Sequence, residues 1–149
     1  MYEEILFALR EQLPEKQFNE IKNRQFHLGI FTEPYLTFML EGKKIVESRF
    51  SKNKILPFEK IEKEDIVIIK KSCGDVVGYF TIKDILFFEI DTISIEEIKN
   101  LYQKELCVDY TFWESKKDSR YATLLFIDEI VKLKPFSIHK KGMQTWIKL

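Results

Sequence analysis

Four consecutive branched aliphatic residues, Ile66-Val67-Ile68-Ile69, constrain this chain more than any other stretch. Side chains alternate across a strand, so an unbroken apolar run of this length reads as a strand covered on both faces. Lys70-Lys71-Ser72-Cys73-Gly74-Asp75 follows as a hairpin turn, with Gly74-Asp75 as the reversal. Val76 to Ile82 returns as the paired strand and continues towards Phe88. Gly78 inside it marks a bulge or a close backbone approach.

The elements on either side supply the covering layers. Ile5, Leu6, Leu9 and Leu13 recur at helical spacing, and Pro14 opens a second short helix that turns Phe18 and Ile21 inward. Gln25 to Phe31 reads as the first strand, with Phe26, Leu28 and Ile30 on one side and His27 and Gly29 on the other. A lone strand histidine of this kind is read as structural. Thr32 is placed as the N-cap of a helix with Glu33 and Pro34 in its first turn, and Gly42 ends it. Residues 51–62, polar and holding Pro57, form a loop. Ser94 with Glu97 makes a capping box, Asp109 opens another short helix, and Trp113 is a core anchor. Tyr121 to Leu133 is a long strand ended by Pro135, and Thr145 to Leu149 pairs back into the sheet. Some five to six strands with helices between them predict an α+β domain on a small, strongly curved mixed sheet or barrel. A two-helix extension over residues 1–24 precedes a domain over residues 25–149.

Composition narrows the function classes. The chain of 149 residues carries 24 basic and 24 acidic side chains, so no overall basic field marks it for long nucleic-acid duplexes. Lysines 132, 134, 140, 141 and 148 nevertheless form a C-terminal basic run, and Lys43, Lys44, Arg49, Lys52 and Lys54 a central one. Cys73 and Cys107 are two isolated thiols, without the spacing of a zinc site or a disulfide framework. The Gly-rich turn of a dinucleotide fold is missing too, so neither a metal nor another cofactor is expected. The N-terminus lacks a signal-peptide pattern, and no stretch reaches the roughly 20 apolar residues of a membrane span. A cytoplasmic protein is expected.

Chemistry concentrates between Gly42 and Phe50. Gly42 supplies the left-handed residue of a helix stop, and a strand starts at once. Alternation from Ile45 puts Glu47 and Arg49 on one face and Val46, Ser48 and Phe50 on the other. A carboxylate and a guanidinium thus stand two residues apart, with the Lys44 ammonium just before them.

The run Gly42-Lys43-Lys44-Ile45-Val46-Glu47-Ser48-Arg49-Phe50, preceded by Pro34-Tyr35, resembles the Gly-x-Lys-x-x-Glu-x-Arg signature of ASCH domains in the PUA-like superfamily. Further pieces are similar in the family's order. They are Asp65-Ile66-Val67 (with Glu64 in place of a glycine), the Lys70–Gly74 hairpin followed by Val77-Gly78, Tyr121-Ala122-Thr123-Leu124, and Gly142 with Trp146-Ile147-Lys148-Leu149. The resemblance runs from about residue 26 to the end of the chain. It implies a small β-barrel with a cleft beside the signature strand and an association with RNA or nucleotide-like ligands. Some superfamily members hydrolyse an acetylated cytidine with a lysine, a threonine three residues on and a distant glutamate. Lys44 matches that lysine, but Glu47 stands in the threonine's place. Ribonuclease activity is also implied for relatives.

Three functional readings follow. In the first, an RNA or nucleotide-like small molecule binds through Lys44, Glu47, Arg49, Lys71 and Ser72. Cations meet phosphate or a base edge, Glu47 accepts from a base amino group or holds Arg49, and Lys140 and Lys141 extend the basic track. In the second, Lys44 and Glu47 are catalytic, as general acid and base of a small hydrolase on a modified nucleoside or on RNA. In the third, Glu47 and Arg49 are a structural ion pair that fixes the corner.

Overall fold

The computed structural model describes residues 1–149. Helices α1 (Tyr2–Gln12) and α2 (Glu15–Ile21) precede strand β1 (Phe26–Phe31), helix α3 (Tyr35–Leu40) and strands β2 (Val46–Ser51), β3 (Ile66–Lys71) and β4 (Val76–Glu89). Helices α4 (Ile95–Leu106) and α5 (Tyr110–Lys116) then lead to β5 (Tyr121–Phe136) and β6 (Trp146–Lys148). The strands form one mixed sheet in the order β2-β5-β4-β3-β1-β6. Only β1 and β3 run parallel; the other neighbours are antiparallel. The α+β expectation holds, as a six-stranded sheet curved into a half-barrel with five helices.

The apolar run in β3 explains why layers form on both sides. Ile66 and Ile68 point into a cluster with Phe26 and Leu28 that Ile5, Leu9, Phe18 and Ile21 of the first two helices cover. Val67 and Ile69 point to the concave side, where Phe31, Leu36, Met39, Phe80, Leu125 and Trp146 fill the half-barrel. All four β3 residues are fully buried. A third cluster seats α4 and α5 on the strands at the β2 edge through Val46, Ile98, Leu106, Trp113, Ala122 and Leu124. Trp113 is a core anchor as expected.

Curvature comes from the two long strands. Their pairing slips between Val76 and Gly78 and twice more between Phe80 and Asp84, and such bulges bend a strand and raise its twist. At Gly78 a Cβ would lie 2.5 Å from the Val131 carbonyl oxygen, so the strands meet where only glycine fits. Gly78→Ala is therefore expected to lower stability by roughly 1–3 kcal/mol, read from a denaturant melt against wild type.

Three boundaries differ from the sequence reading. Helix α3 starts at Tyr35, not at Thr32, with Pro34 at the N-cap. The side-chain cap is the longer Glu33, whose Oε1 accepts from the Thr37 backbone N–H at 2.8 Å and from the Thr37 hydroxyl at 2.9 Å. The hairpin reverses at Ser72 and Cys73, closed by Gly74 N–H to the Lys71 carbonyl at 2.9 Å, and Cys73 takes the left-handed conformation at φ 55°. Strand β5 runs through Pro135 to Phe136, because β2 pairs only with its first half and leaves that edge free of ladder bonds a proline would break.

Candidate functional site

The helix stop sets the corner. Gly42 sits at φ 79°, its N–H donates to the Met39 carbonyl at 3.1 Å, and the Lys43 N–H donates to the Phe38 carbonyl at 2.9 Å. This paired closure of a helix end needs a left-handed residue, which glycine adopts without strain. The chain then turns into β2 with Val46 packed beneath α4 and α5 and Glu47 on the opposite side with Arg49.

Glu47 is the hub. Its Oε1 accepts from the Ser48 N–H at 2.9 Å and lies 3.6 Å from Lys44 Nζ, while its Oε2 lies 3.3 Å from Arg49 Nη2. Lys44 is only 2% exposed and donates to the Leu106 carbonyl at 2.6 Å, thereby satisfying a backbone acceptor at the end of α4. Burial pushes its ammonium below the usual lysine range, against the pull of Glu47. Arg49 donates to the carbonyls of Ile30 at 2.9 Å and Thr145 at 3.2 Å, and its guanidinium lies 4.8 Å from the Phe31 ring centre and 5.0 Å from that of Trp146. The sequence reading brought Lys44, Glu47 and Arg49 together, and the fold does the same.

Lys116, at the end of α5, is the cation that the sequence reading missed. It lies 5.2 Å from the Phe112 ring centre and makes no ion pair or hydrogen bond. Burial lowers its pKa, the positive charge of Arg49 lowers it further, and Glu47 opposes both. Lys44 and Arg49 thus share one carboxylate, and Lys116, within electrostatic reach of Glu47 and Arg49, adds a third positive charge to the corner. Nothing in the local pattern of α5 marks Lys116, because only the packing of α5 against β2 brings it here. Tyr35 joins the same corner, with Lys44 Nζ 5.6 Å from its ring centre.

Behind Arg49 lies a second polar chain that the sequence left as a structural histidine. Trp146 Nε1 donates to His27 Nδ1 at 3.1 Å, so the His27 proton sits on Nε2, 2.8 Å from Asp65 Oδ2. Asp65 Oδ2 also accepts from the Glu62 N–H at 3.0 Å. His27 is fully buried, and burial holds it below the usual imidazole value and therefore neutral. The chain fixes the indole on which Arg49 rests.

The remaining candidates lie apart from these contacts. Lys71 is exposed at the end of β3, opposite Phe31, and its charge acts on Glu33. The Ser72 N–H donates to the Phe31 carbonyl at 2.9 Å. Lys140 turns back on its own loop to the Gly142 carbonyl at 2.8 Å, and Lys141 is exposed.

A family model described as ASCH domain matches residues 30–143, most of the chain and all of the signature strand. The chain belongs to the ASCH domain family. Its fold is shared with the crystal structure of ASCH from Zymomonas mobilis, at a TM-score of 0.67 and 14% identity over 85% of this chain and 89% of that one. A serine-to-alanine mutant of that ASCH protein matches at 0.67 and 13%, over 85% and 89%. A tyrosine-to-phenylalanine mutant matches at 0.67 and 14%, over 85% and 91%. At such identities the likeness establishes the ASCH fold and nothing finer. No curated protein sequence matches the chain. No helix is long and apolar enough to cross a membrane.

Proposed function

We propose that this ASCH domain binds a nucleotide or a short single-stranded RNA through Arg49 and Lys116, at the corner that the buried Lys44 and Glu47 hold in place. One observation carries the reading: Lys44 and Arg49 share the single Glu47 carboxylate, and Lys116, within electrostatic reach of Glu47 and Arg49, has no ion-pair partner of its own. An anion arriving there finds a half-buried ammonium with no ion-pair or hydrogen-bond partner, and a contact to it is charge-assisted. Glu47 then holds Arg49 and Lys44 in place, the orienting role open to it beside direct contact with a base. The balanced net charge suits a small footprint, because a long one requires many phosphate contacts. Membership of the ASCH family is consistent with RNA as the ligand class.

The hydrolase reading has less support. Lys44 is shielded from solvent and already donates to Leu106, and Glu47 replaces the hydroxyl nucleophile of the amidohydrolase pattern. Lys71, Ser72, Lys140 and Lys141 remain candidates for extending the contact beyond a single nucleotide.

The test is calorimetric titration with a nucleoside monophosphate and a short single-stranded RNA at low and moderate salt. Wild type is expected to bind both, more weakly as salt rises, and Lys116→Ala is expected to weaken binding about tenfold, the effect of losing one charged hydrogen bond. Absence of binding by wild type at either salt rejects the reading.

A further inference from the structure

Beside the corner lies a cavity of about 760 Å³, between the loop that follows β2 and the entry to β6. Leu56, Phe58 and Trp146 supply its apolar wall, Lys54 and Lys60 its cationic rim, and Gln144 an amide. Thr145 and Trp146 are shared with the corner: Arg49 donates to the Thr145 carbonyl and rests on the Trp146 ring. The geometry points to a second subsite here that takes the base of a nucleotide whose phosphate lies at the corner, with Thr145-Trp146 as the common wall.

Four features argue for a flat heteroaromatic ring as the occupant. The volume falls in the range of small-molecule sites, roughly 300–1,000 Å³, and the mix of apolar wall with few polar groups is what such sites use. Ile55 and Leu56 present exposed aliphatic surface, backed by the buried rings of Phe58 and Trp146, and a flat ring loses water on packing against such a face. The Gln144 side chain offers both donor and acceptor to a base edge. At the rim, Glu59 lies 4.0 Å from Lys54 and offsets it, while Lys60 makes no ion pair, so an anionic ligand is favoured over a neutral one. The Asp65–His27–Trp146 chain then has a role here: it fixes the indole from behind, so that the wall needs no ordering when the ring arrives.

This inference rests on the nucleotide reading, and the experiment separates the two. Wild type, Leu56→Ser and Lys116→Ala are titrated with a nucleoside monophosphate and with ribose 5-phosphate, which carries the anion without the base. Leu56 is 38% exposed, so Leu56→Ser removes apolar wall from the cavity without disturbing the core. Wild type is expected to bind the nucleotide roughly tenfold tighter than the sugar phosphate, on the scale of burying part of one base face on apolar side chains. Leu56→Ser should abolish most of that preference and leave ribose 5-phosphate unchanged, while Lys116→Ala weakens both. In wild type the Leu56 methyl resonances should shift with the nucleotide and not with the sugar phosphate. If Leu56→Ser keeps the preference, or the Leu56 methyl resonances are indifferent to the base, the subsite is refuted while anion binding at the corner stands. If neither ligand binds wild type, both fail together.

Discussion

Glu47→Leu is expected to lower the stability of the fold by about 3–5 kcal/mol, the cost of stranding buried charges whose partner is removed. In wild type Glu47 lies 3.6 Å from Lys44 and 3.3 Å from Arg49, and the Lys44 side chain is 2% exposed. Without the carboxylate, Lys44 keeps one neutral acceptor at Leu106 and gains no new counter-ion. The pH dependence tells this electrostatic cause from a packing defect. Burial already holds the Lys44 pKa below its unfolded value, Arg49 pushes the same way, and Glu47 is the main force raising it. Removing Glu47 depresses the folded pKa further, so the unfolded state binds more protons and stability rises with pH between the two values. The deficit of the variant should therefore shrink between pH 7 and pH 10 in denaturant melts, and Lys44→Met added to Glu47→Leu should recover part of it. A deficit that stays constant with pH would mean that the corner is held by packing alone.

Trp146→Ala is the second large effect, expected to cost about 3–5 kcal/mol, as for other buried aromatic truncations. The indole is 4% exposed in the half-barrel core, supports the Arg49 guanidinium and donates to His27. Trp146→Phe separates these roles. It keeps a ring under Arg49 and loses only the N–H, leaving His27 Nδ1 buried without a donor, at about 1–3 kcal/mol. The lowered His27 pKa adds a second signature. Because the folded value lies below the unfolded one, wild-type stability is complete above the ordinary imidazole range and falls as pH drops through it towards the folded value. Urea melts between pH 5 and pH 8 check both points. A phenylalanine variant as stable as wild type would show that the His27 contact contributes nothing.

How much of this was legible in the sequence differs by element. The β3 run announced its two covering layers because strict alternation leaves no solvent face. The Gly42 stop and the Glu47–Arg49 face followed from chemistry that acts over two to four residues. Ser94 with Glu97 was equally local, and the capping box is present, with Glu97 N–H donating to Ser94 Oγ at 3.1 Å. The misses share one cause. Thr32 is a favoured cap type, but the helix starts later, and the longer Glu33 carboxylate reaches the Thr37 N–H from just ahead of the Pro34 N-cap. The reversal falls on Ser72 and Cys73 in place of Gly74-Asp75, since the turn is set by the register of β3 and β4. Lys116 and the His27–Asp65–Trp146 chain are products of tertiary packing. His27 and Trp146 lie at opposite ends of the chain and meet only because β6 pairs with β1.

The most direct test of the cation-rich corner is to follow the Lys116 side chain itself, by selectively labelled NMR titration with and without a nucleoside monophosphate. In the free protein its ammonium should titrate below the usual lysine value, because burial and the charge of Arg49 both disfavour it. Bound phosphate supplies the missing counter-charge, so the titration should move up and the complex should take up protons at alkaline pH. A Lys116 titration that stays in place when the nucleotide is bound would contradict the account.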